Sequence, residues 1–153
     1  TIKGLFMIKK TICIIFIFQT LIFANQKDII DLLEQYNKSF ANKEQKKIIN
    51  YFDFPVSFNL QDKTITANSN LKLKLIYKKI WGDLPDYYSH SKWDSFDIQI
   101  IDDNIAIVNA KFSRYKNDGT IFYSGAGIYS LRKSNDTWKI FSMTPYENIE
   151  QAN

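Results

Sequence analysis

The chain has 153 residues, of which 16% are aromatic, and its formal net charge is +4. This length suits a single domain with a well-filled core. Three lysines and no acid precede residue 25, so the rest of the chain has 17 basic and 16 acidic residues and a net charge of +1. Such a small charge argues against nucleic-acid binding, which needs a basic stripe that follows the phosphates.

The first 24 residues have the composition of a secretory signal peptide. Two lysines precede an apolar run over 11–23, and Ala24 is a small residue suited to cleavage. The run has about 13 residues, whereas a membrane-spanning helix needs about 20. We therefore predict a periplasmic or secreted protein that is free of the membrane after cleavage; the alternative is an uncleaved membrane anchor. Residues 1–6 precede Met7, where we expect translation to start.

Helical patterns dominate the first part of the remaining chain. Apolar residues recur at helical spacing over 28–43, which predicts an amphipathic helix, and 44–52 predicts a second short one. A strand over 54–60 and a short return strand over 64–66 follow. A third helix begins at a cap at Asn68 or Ser69 and ends at Gly82. Its predicted buried residues are Leu71, Leu75, Ile76, Ile80 and Trp81.

From residue 87 the chain has the pattern of four long antiparallel strands. Asp, Asn and Gly residues at 102–104, 117–119 and 135–136 suit tight turns between them. Gly125 and Gly127 lie inside one strand and predict a bend or bulge. Strands this long must twist. The predicted fold class is α+β: a cone-shaped fold in which three N-terminal helices pack on a curved, mainly antiparallel sheet around a cavity.

This order of elements resembles the nuclear transport factor 2-like, or SnoaL-like, superfamily over about residues 27–146. The resemblance implies one domain over residues 25–153. It implies no particular function, because the superfamily contains isomerases, cyclases, dehydratases, hydrolases and non-enzymatic modules. Three segments carry it: Leu33, Tyr36 and Phe40 followed by Ile48-Ile49 and Phe52; Phe112-Ser113-Arg114-Tyr115 before Asn117-Asp118-Gly119; and Tyr129 and Leu131 before Trp138-Lys139-Ile140.

Steroid-isomerase-like members of the superfamily use a tyrosine on the first helix as an oxyanion donor and a carboxylate base on the first strand. The resemblance assigns the tyrosine to Tyr36. The base position falls at Leu60 or Asn59, and neither side chain accepts a proton at neutral pH. Asp62 is the nearest carboxylate, and it has the setting of a turn residue. The sequence therefore argues against isomerase chemistry of this kind.

Two side chains stand out by their chemistry. His90 is the only histidine, the residue type that changes charge near neutral pH, and it lies where the extended region begins. Arg114 is one of two arginines and offers a planar fork that suits a carboxylate. The alternatives are an edge histidine and a surface ion pair of Arg114 with Asp97 or Asp118. If the face of the Arg114 strand that is opposite to Arg114 points inward, the cavity is lined instead by Asn109, Lys111, Ser113 and Tyr115.

Our leading hypothesis is a domain that binds a small apolar or anionic molecule in the cavity. One alternative is an isomerase-, cyclase- or dehydratase-type enzyme that acts on a small apolar substrate, with His90 or Asp86 as the base. No cofactor is predicted, and one histidine without a cysteine beyond residue 24 argues against a metal site. The predicted ligand-binding residues are Tyr36, Tyr51, Trp81, Tyr88, His90, Arg114 and Tyr129.

A further alternative is a homodimeric assembly module formed through the outer face of the sheet. An apolar patch would then be exposed on the monomer. Its predicted members are either Ile105 and Ile107 or Tyr123 and Phe141.

Overall fold

The computed structural model describes residues 25–147, so the predicted signal peptide lies outside the described residues. Within 25–147, no helix combines the length and the apolar character needed to cross a membrane. The elements, in chain order, are helix α1 (25–41), helix α2 (Gln45–Ile48), a 3-10 turn (Ile49–Tyr51), strands β1 (Phe52–Asn59) and β2 (Thr64–Ala67), helix α3 (Asn70–Gly82), and strands β3 (Tyr88–Ile100), β4 (Ile105–Lys116), β5 (Ile121–Ser134) and β6 (Thr137–Tyr146).

The strands form one six-stranded sheet in the order β2-β1-β6-β5-β4-β3. Strand β1 pairs with β6 in parallel, and every other neighbouring pair is antiparallel. The predicted α+β class, with helices and a curved, mainly antiparallel sheet, is therefore confirmed. The four-strand meander was predictable from its turns, whereas the parallel pair brings together segments about 85 residues apart, such as Ser57 and Ser142.

Helix α1 packs on the concave side of the sheet through the residues predicted from its periodicity. Ile29 and Leu33 are fully buried, and small apolar residues of β4, such as Ala106 and Ala110, lie in the same core. Two hydrogen bonds join α1 to β3: the Trp93 indole N–H donates to the Leu33 carbonyl over 3.1 Å, and the Asn37 amide donates to the Ser91 carbonyl over 2.8 Å. These contacts fix the height of α1 above the sheet.

The predicted buried face of α3 is wrong for two of its leucines. Leu71 is 70% exposed and Leu75 is 58% exposed, whereas Leu73, Tyr77 and Trp81 are buried. The buried residues are spaced by four, which places them one above another on a single helix face. Ser69 caps the helix as one of the two predicted candidates, because its hydroxyl accepts a hydrogen bond from the Lys72 N–H over 3.3 Å.

Of the bend or bulge predicted at 125–127, the bulge is wrong. The pairing of β4 with β5 continues without a shift there, with Phe112 opposite Gly125 and Ala110 opposite Gly127. The register shifts of β5 lie near Arg114 and at Ser130 instead. The glycines provide space, because a Cβ at Gly125 would lie 2.7 Å from a ring carbon of Tyr123.

The residues proposed for an outer apolar patch are divided between two faces. Ile105, Ile107 and Phe141 are half-buried. Tyr123 is 39% exposed, but it lies on the inner face, beside Arg114, its partner across β4 and β5. The homodimer remains a prediction.

Candidate functional site

A cavity of about 260 Å³ lies between the helices and the concave face of the sheet. Its wall is mostly apolar, and seven of its residues are aromatic. The lining residues are Tyr36, Asn37, Phe40, Phe58, Leu60, Tyr77, Ile80, Ser91, Trp93, Phe112, Arg114, Ala126, Gly127, Tyr129, Met143, Thr144 and Pro145.

Two phenols share a hydrogen bond inside this wall. The Tyr77 hydroxyl donates to the Tyr36 hydroxyl over 3.1 Å, and it lies 3.9 Å from the Met143 sulfur. The Tyr36 hydroxyl accepts this bond, so its own proton is available to a bound molecule. This pair results from the phase of α3, which places Tyr77 opposite α1.

Burial determines the protonation of these phenols. Burial raises the pKa of Tyr36 to about 12, against the opposing effects of the Tyr77 hydrogen bond and the Arg114 charge. Burial also raises the pKa values of Tyr77 and Tyr129 well above the usual range. All three hydroxyls are therefore neutral at physiological pH and keep a proton that they can donate. The positive charge of Arg114 opposes this rise in the pKa values of Tyr36 and Tyr129.

Arg114 is the one positively charged residue of the lining. Its Nε is buried and has no hydrogen-bond partner among the described residues. The predicted alternative, a surface ion pair with Asp97 or Asp118, is not formed; the Asp118 carboxylate instead accepts hydrogen bonds from Thr120. Arginine always carries its charge, so the cavity wall presents a permanent cation without a carboxylate beside it.

The opposite face of β4 points away from the cavity. The Ser113 hydroxyl donates to the Asp94 carboxylate over 2.8 Å, and the Asn109 side chain accepts from the Tyr146 hydroxyl. The alternative in which Asn109, Lys111, Ser113 and Tyr115 line the cavity is therefore wrong. Phe112 and Arg114 face inward because they share strand parity with the buried residues Ala106, Val108 and Ala110.

Three of the seven predicted ligand-binding residues line the cavity: Tyr36, Arg114 and Tyr129. Three others lie behind the lining and hold it in place. The Tyr51 hydroxyl is 3.0 Å from the Ser39 hydroxyl, the Trp81 indole N–H donates to the Phe40 carbonyl over 3.0 Å, and the Tyr88 hydroxyl is 3.1 Å from the Ser91 hydroxyl.

The two candidate bases lie outside the cavity lining. The His90 ring stacks on Tyr115, with ring centres 4.9 Å apart and planes within 2°, and its Nδ1 lies 3.0 Å from the Ser89 hydroxyl. Asp86 is exposed in the turn before β3. No Asp, Glu or His occurs among the described residues of the lining. Within 25–147, no cluster of three or more His, Cys, Asp or Glu side chains has the arrangement of a metal site.

Several lining residues were absent from the sequence prediction. Tyr77 lies one helical turn before Trp81, so a correct phase for α3 identifies it. Ser91 and Trp93 share a face of β3 by simple alternation. Asn37 follows Tyr36 directly, and no sequence signal separates it from the other polar residues of α1.

Over residues 26–148 the chain matches the family described as NTF2-like protein (DUF6841). No curated protein matches it. A cystatin-like-fold protein of unknown function from Nostoc punctiforme PCC 73102 is similar in structure, with a TM-score of 0.69, 11% identity, and coverage of 83% of this chain and 93% of that chain.

Two further solved structures are similar. An NTF-2 like protein of unknown function from Shewanella oneidensis MR-1 has a TM-score of 0.63, 16% identity, and coverage of 78% of this chain and 97% of that chain. A candidate scytalone dehydratase from Novosphingobium aromaticivorans DSM 12444 has a TM-score of 0.68, 10% identity, and coverage of 86% and 89%. At these identities the likeness shows the fold alone.

Proposed function

The chain belongs to the NTF2-like family DUF6841, and from this premise we propose that it is an exported small-molecule-binding domain of the cone-shaped, SnoaL-like type. Its cavity binds a small apolar molecule, and Arg114 binds an anionic group on that molecule. The apolar part of the ligand lies against the aromatic wall.

The proposal is supported chiefly by the charge of Arg114, which lines an aromatic cavity and has no ion-pair partner among the described residues. Its Nε is fully buried, so a ligand would contact the terminal nitrogens of the guanidinium. A carboxylate there forms charge-assisted hydrogen bonds, which are about twice as strong as neutral ones. Tyr36 and Tyr129 line the same cavity, and their protonated hydroxyls can donate further hydrogen bonds to the ligand.

The volume of the cavity limits the size of the ligand. An apolar protein cavity of about 150 Å³ holds one benzene molecule. The cavity of about 260 Å³ therefore suits one ring with a substituent or two fused rings. Ligand pockets are typically apolar with a few convergent polar groups, and this wall has that composition.

Binding is favoured over acid–base catalysis by the chemistry of the lining. A general base must accept a proton near neutral pH from within hydrogen-bond reach. The Tyr36 phenol is protonated at that pH because its pKa is about 12, and no carboxylate or imidazole occurs among the described lining residues. His90 and Asp86 lie outside the wall, so the enzyme hypothesis lacks a base among the residues proposed for it.

Calorimetric titration of the purified protein with 2-naphthoate and its neutral analogue 2-naphthamide tests the proposal. We expect the carboxylate to bind roughly ten- to a hundredfold more tightly than the amide, because hydrogen bonds to charged groups contribute about 1.5–3 kcal/mol. Arg114→Ala is expected to abolish this preference while the amide still binds.

Arg132→Ala is the matched control, because the other arginine pairs with Asp53 over 3.2 Å and its guanidinium lies 4.1 Å from the centre of the Phe141 ring. We expect it to retain the preference for the carboxylate. Absence of binding by both probes, or an unchanged preference in Arg114→Ala, would reject the proposal.

The proposed export rests on the first 24 residues alone. We expect the mature protein, isolated from its native source, to begin close to Asn25 when its N-terminus is determined by mass spectrometry. A mature chain that retains the apolar run over 11–23 would contradict export by cleavage.

A further inference from the structure

The Arg114 side chain rests on two aromatic rings. Its guanidinium carbon lies 5.4 Å from the ring centre of Phe112 and 5.2 Å from that of Tyr123, and the two ring centres are 5.9 Å apart. These three points form a nearly equilateral triangle, so the two rings pack side by side against the guanidinium. Arg114 also lines the cavity.

Tyr123 reaches this position because Gly125 has no side chain. A Cβ at Gly125 would lie 2.7 Å from Tyr123 Cε1, 2.8 Å from the Tyr123 hydroxyl oxygen and 3.0 Å from Phe112 Cζ. Residues two apart on a strand share a face, so the Tyr123 ring leans along β5 over the glycine. The register places Phe112 directly opposite Gly125 and Arg114 directly opposite Tyr123, which brings all four residues together.

We propose that Tyr123 is a positioning residue for ligand recognition: its ring, seated over Gly125, holds the Arg114 guanidinium toward the cavity. The inference rests on the proposed function and narrows the ligand class to apolar ring carboxylates. The carboxylate accepts hydrogen bonds from the guanidinium N–H groups in the plane of the guanidinium, and the ring system lies along the wall formed by Phe112 and Trp93.

Two features indicate that Tyr123 serves ligand recognition and not the stability of the core. Tyr123 is 39% exposed, so its removal leaves the buried core intact. Its ring also stabilises a cation that has no carboxylate partner among the described residues. An arginine over an aromatic face gains about 0.5–2 kcal/mol, depending on how far both are removed from water.

The test compares Tyr123→Ala, Gly125→Ala and Tyr123→Phe by calorimetric titration with 2-naphthoate and 2-naphthamide. The first two remove or displace the ring, and we expect 2-naphthoate to bind roughly three- to thirtyfold more weakly, which is the cation–π contribution converted to affinity. Binding of 2-naphthamide is expected to stay unchanged in Tyr123→Ala. In Gly125→Ala the new Cβ also lies 3.0 Å from Phe112 Cζ in the cavity wall, so the ratio of the two affinities is the measure for that variant. Tyr123→Phe keeps the ring and is expected to bind 2-naphthoate as the unaltered protein does.

Tyr87→Ala is the matched control, because Tyr87 is 49% exposed and faces a different cation, Lys116, at 5.4 Å. We expect it to leave the affinity for both probes unchanged. Thermal unfolding of each variant checks that the fold is intact.

The outcomes separate the inference from the proposed function. If the unaltered protein binds neither probe, both are rejected. If Arg114→Ala loses the preference for the carboxylate but Tyr123→Ala and Gly125→Ala do not weaken it, only the positioning role of Tyr123 is rejected. Equal weakening of both probes in these variants would show a damaged cavity and would also reject the positioning role.

Discussion

Tyr36 and Tyr77 show how the chemistry of a single side chain follows from its position. Both are polar by composition, yet they are 7% and 1% exposed and belong to the apolar core. One hydrogen bond joins them, because the Tyr77 hydroxyl donates to the Tyr36 hydroxyl. A buried phenol without this partner loses the hydrogen bonds that it makes with water in the unfolded chain.

We predict that Tyr77→Phe lowers the free energy of unfolding by about 1 kcal/mol, because it removes one buried hydrogen bond while keeping the ring. Urea denaturation followed by fluorescence measures the change. Tyr87→Phe is the control and is expected to have no effect, since Tyr87 is 49% exposed. Equal destabilisation by the two substitutions would contradict the account of the Tyr36–Tyr77 pair.

Some single residues of the site were predictable and others were not. Arg114 was identified because it is one of two arginines in a lysine-rich chain, and chemistry alone marks such a residue. His90 was equally unusual, but it stacks on Tyr115 because β3 and β4 pair these two residues. The register of paired strands depends on contacts between separate segments of the chain. The identity of a histidine or an arginine does not reveal that register.

Helix α3 shows where a periodic pattern becomes ambiguous. Leu71, Leu73 and Leu75 alternate with lysines, so more than one helix face has an apolar content that suits burial. The sheet and α1 select the face with Leu73, Tyr77 and Trp81, because those aromatic rings fill the space beside Phe40. The start of the helix was predictable, since capping by Ser69 is a local interaction.

The phase of α3 is tested by two leucine truncations on the same helix. We predict that Leu73→Ala lowers the free energy of unfolding by about 2–5 kcal/mol, because it leaves a cavity in the core. Leu71→Ala is expected to change it by less than about 0.5 kcal/mol, since surface substitutions act weakly. The two effects differ because Leu73 is 0% exposed and Leu71 is 70% exposed. Chemical denaturation measures both changes. The reverse order of effects would contradict the assigned face.

The hairpin turns were the most predictable elements. Asn135 and Asp136 both have positive φ, 50° and 58°, and they form the two-residue connection between β5 and β6. Asn and Asp tolerate this conformation, which matches the twist of paired strands. Such turns set the neighbours β3 to β6 in order. They give no information on β1, which lies between β2 and β6 in the sheet.

At the scale of the whole molecule, the buried phenols link stability to pH. Burial raises the pKa of Tyr36 to about 12, and it also raises the pKa values of Tyr77 and Tyr129 well above their usual range. The unfolded chain releases these protons near pH 10. The folded state therefore holds more protons than the unfolded state above pH 10, so stability is fully present below that pH and is lost as pH rises toward 12 and beyond.

We predict that the free energy of unfolding is flat up to about pH 10 with respect to these tyrosines and then falls by about 1.4 kcal/mol per pH unit for each of them. Urea denaturation at a series of alkaline pH values measures the slope. Tyr36→Phe is expected to make this fall less steep by about 1.4 kcal/mol per pH unit, which is the contribution of one tyrosine. Phenolate absorbance from the buried tyrosines appearing near pH 10 in the folded protein would contradict the prediction.

In the proposed function, the cavity holds an apolar molecule with its anionic group at Arg114. A crystal structure of the protein with 2-naphthoate would locate both parts of such a molecule. We predict that the rings lie in the cavity against Phe112 and Trp93, with a carboxylate oxygen about 3 Å from an Arg114 nitrogen. A probe found only outside the cavity, or a carboxylate that points away from Arg114, would contradict it.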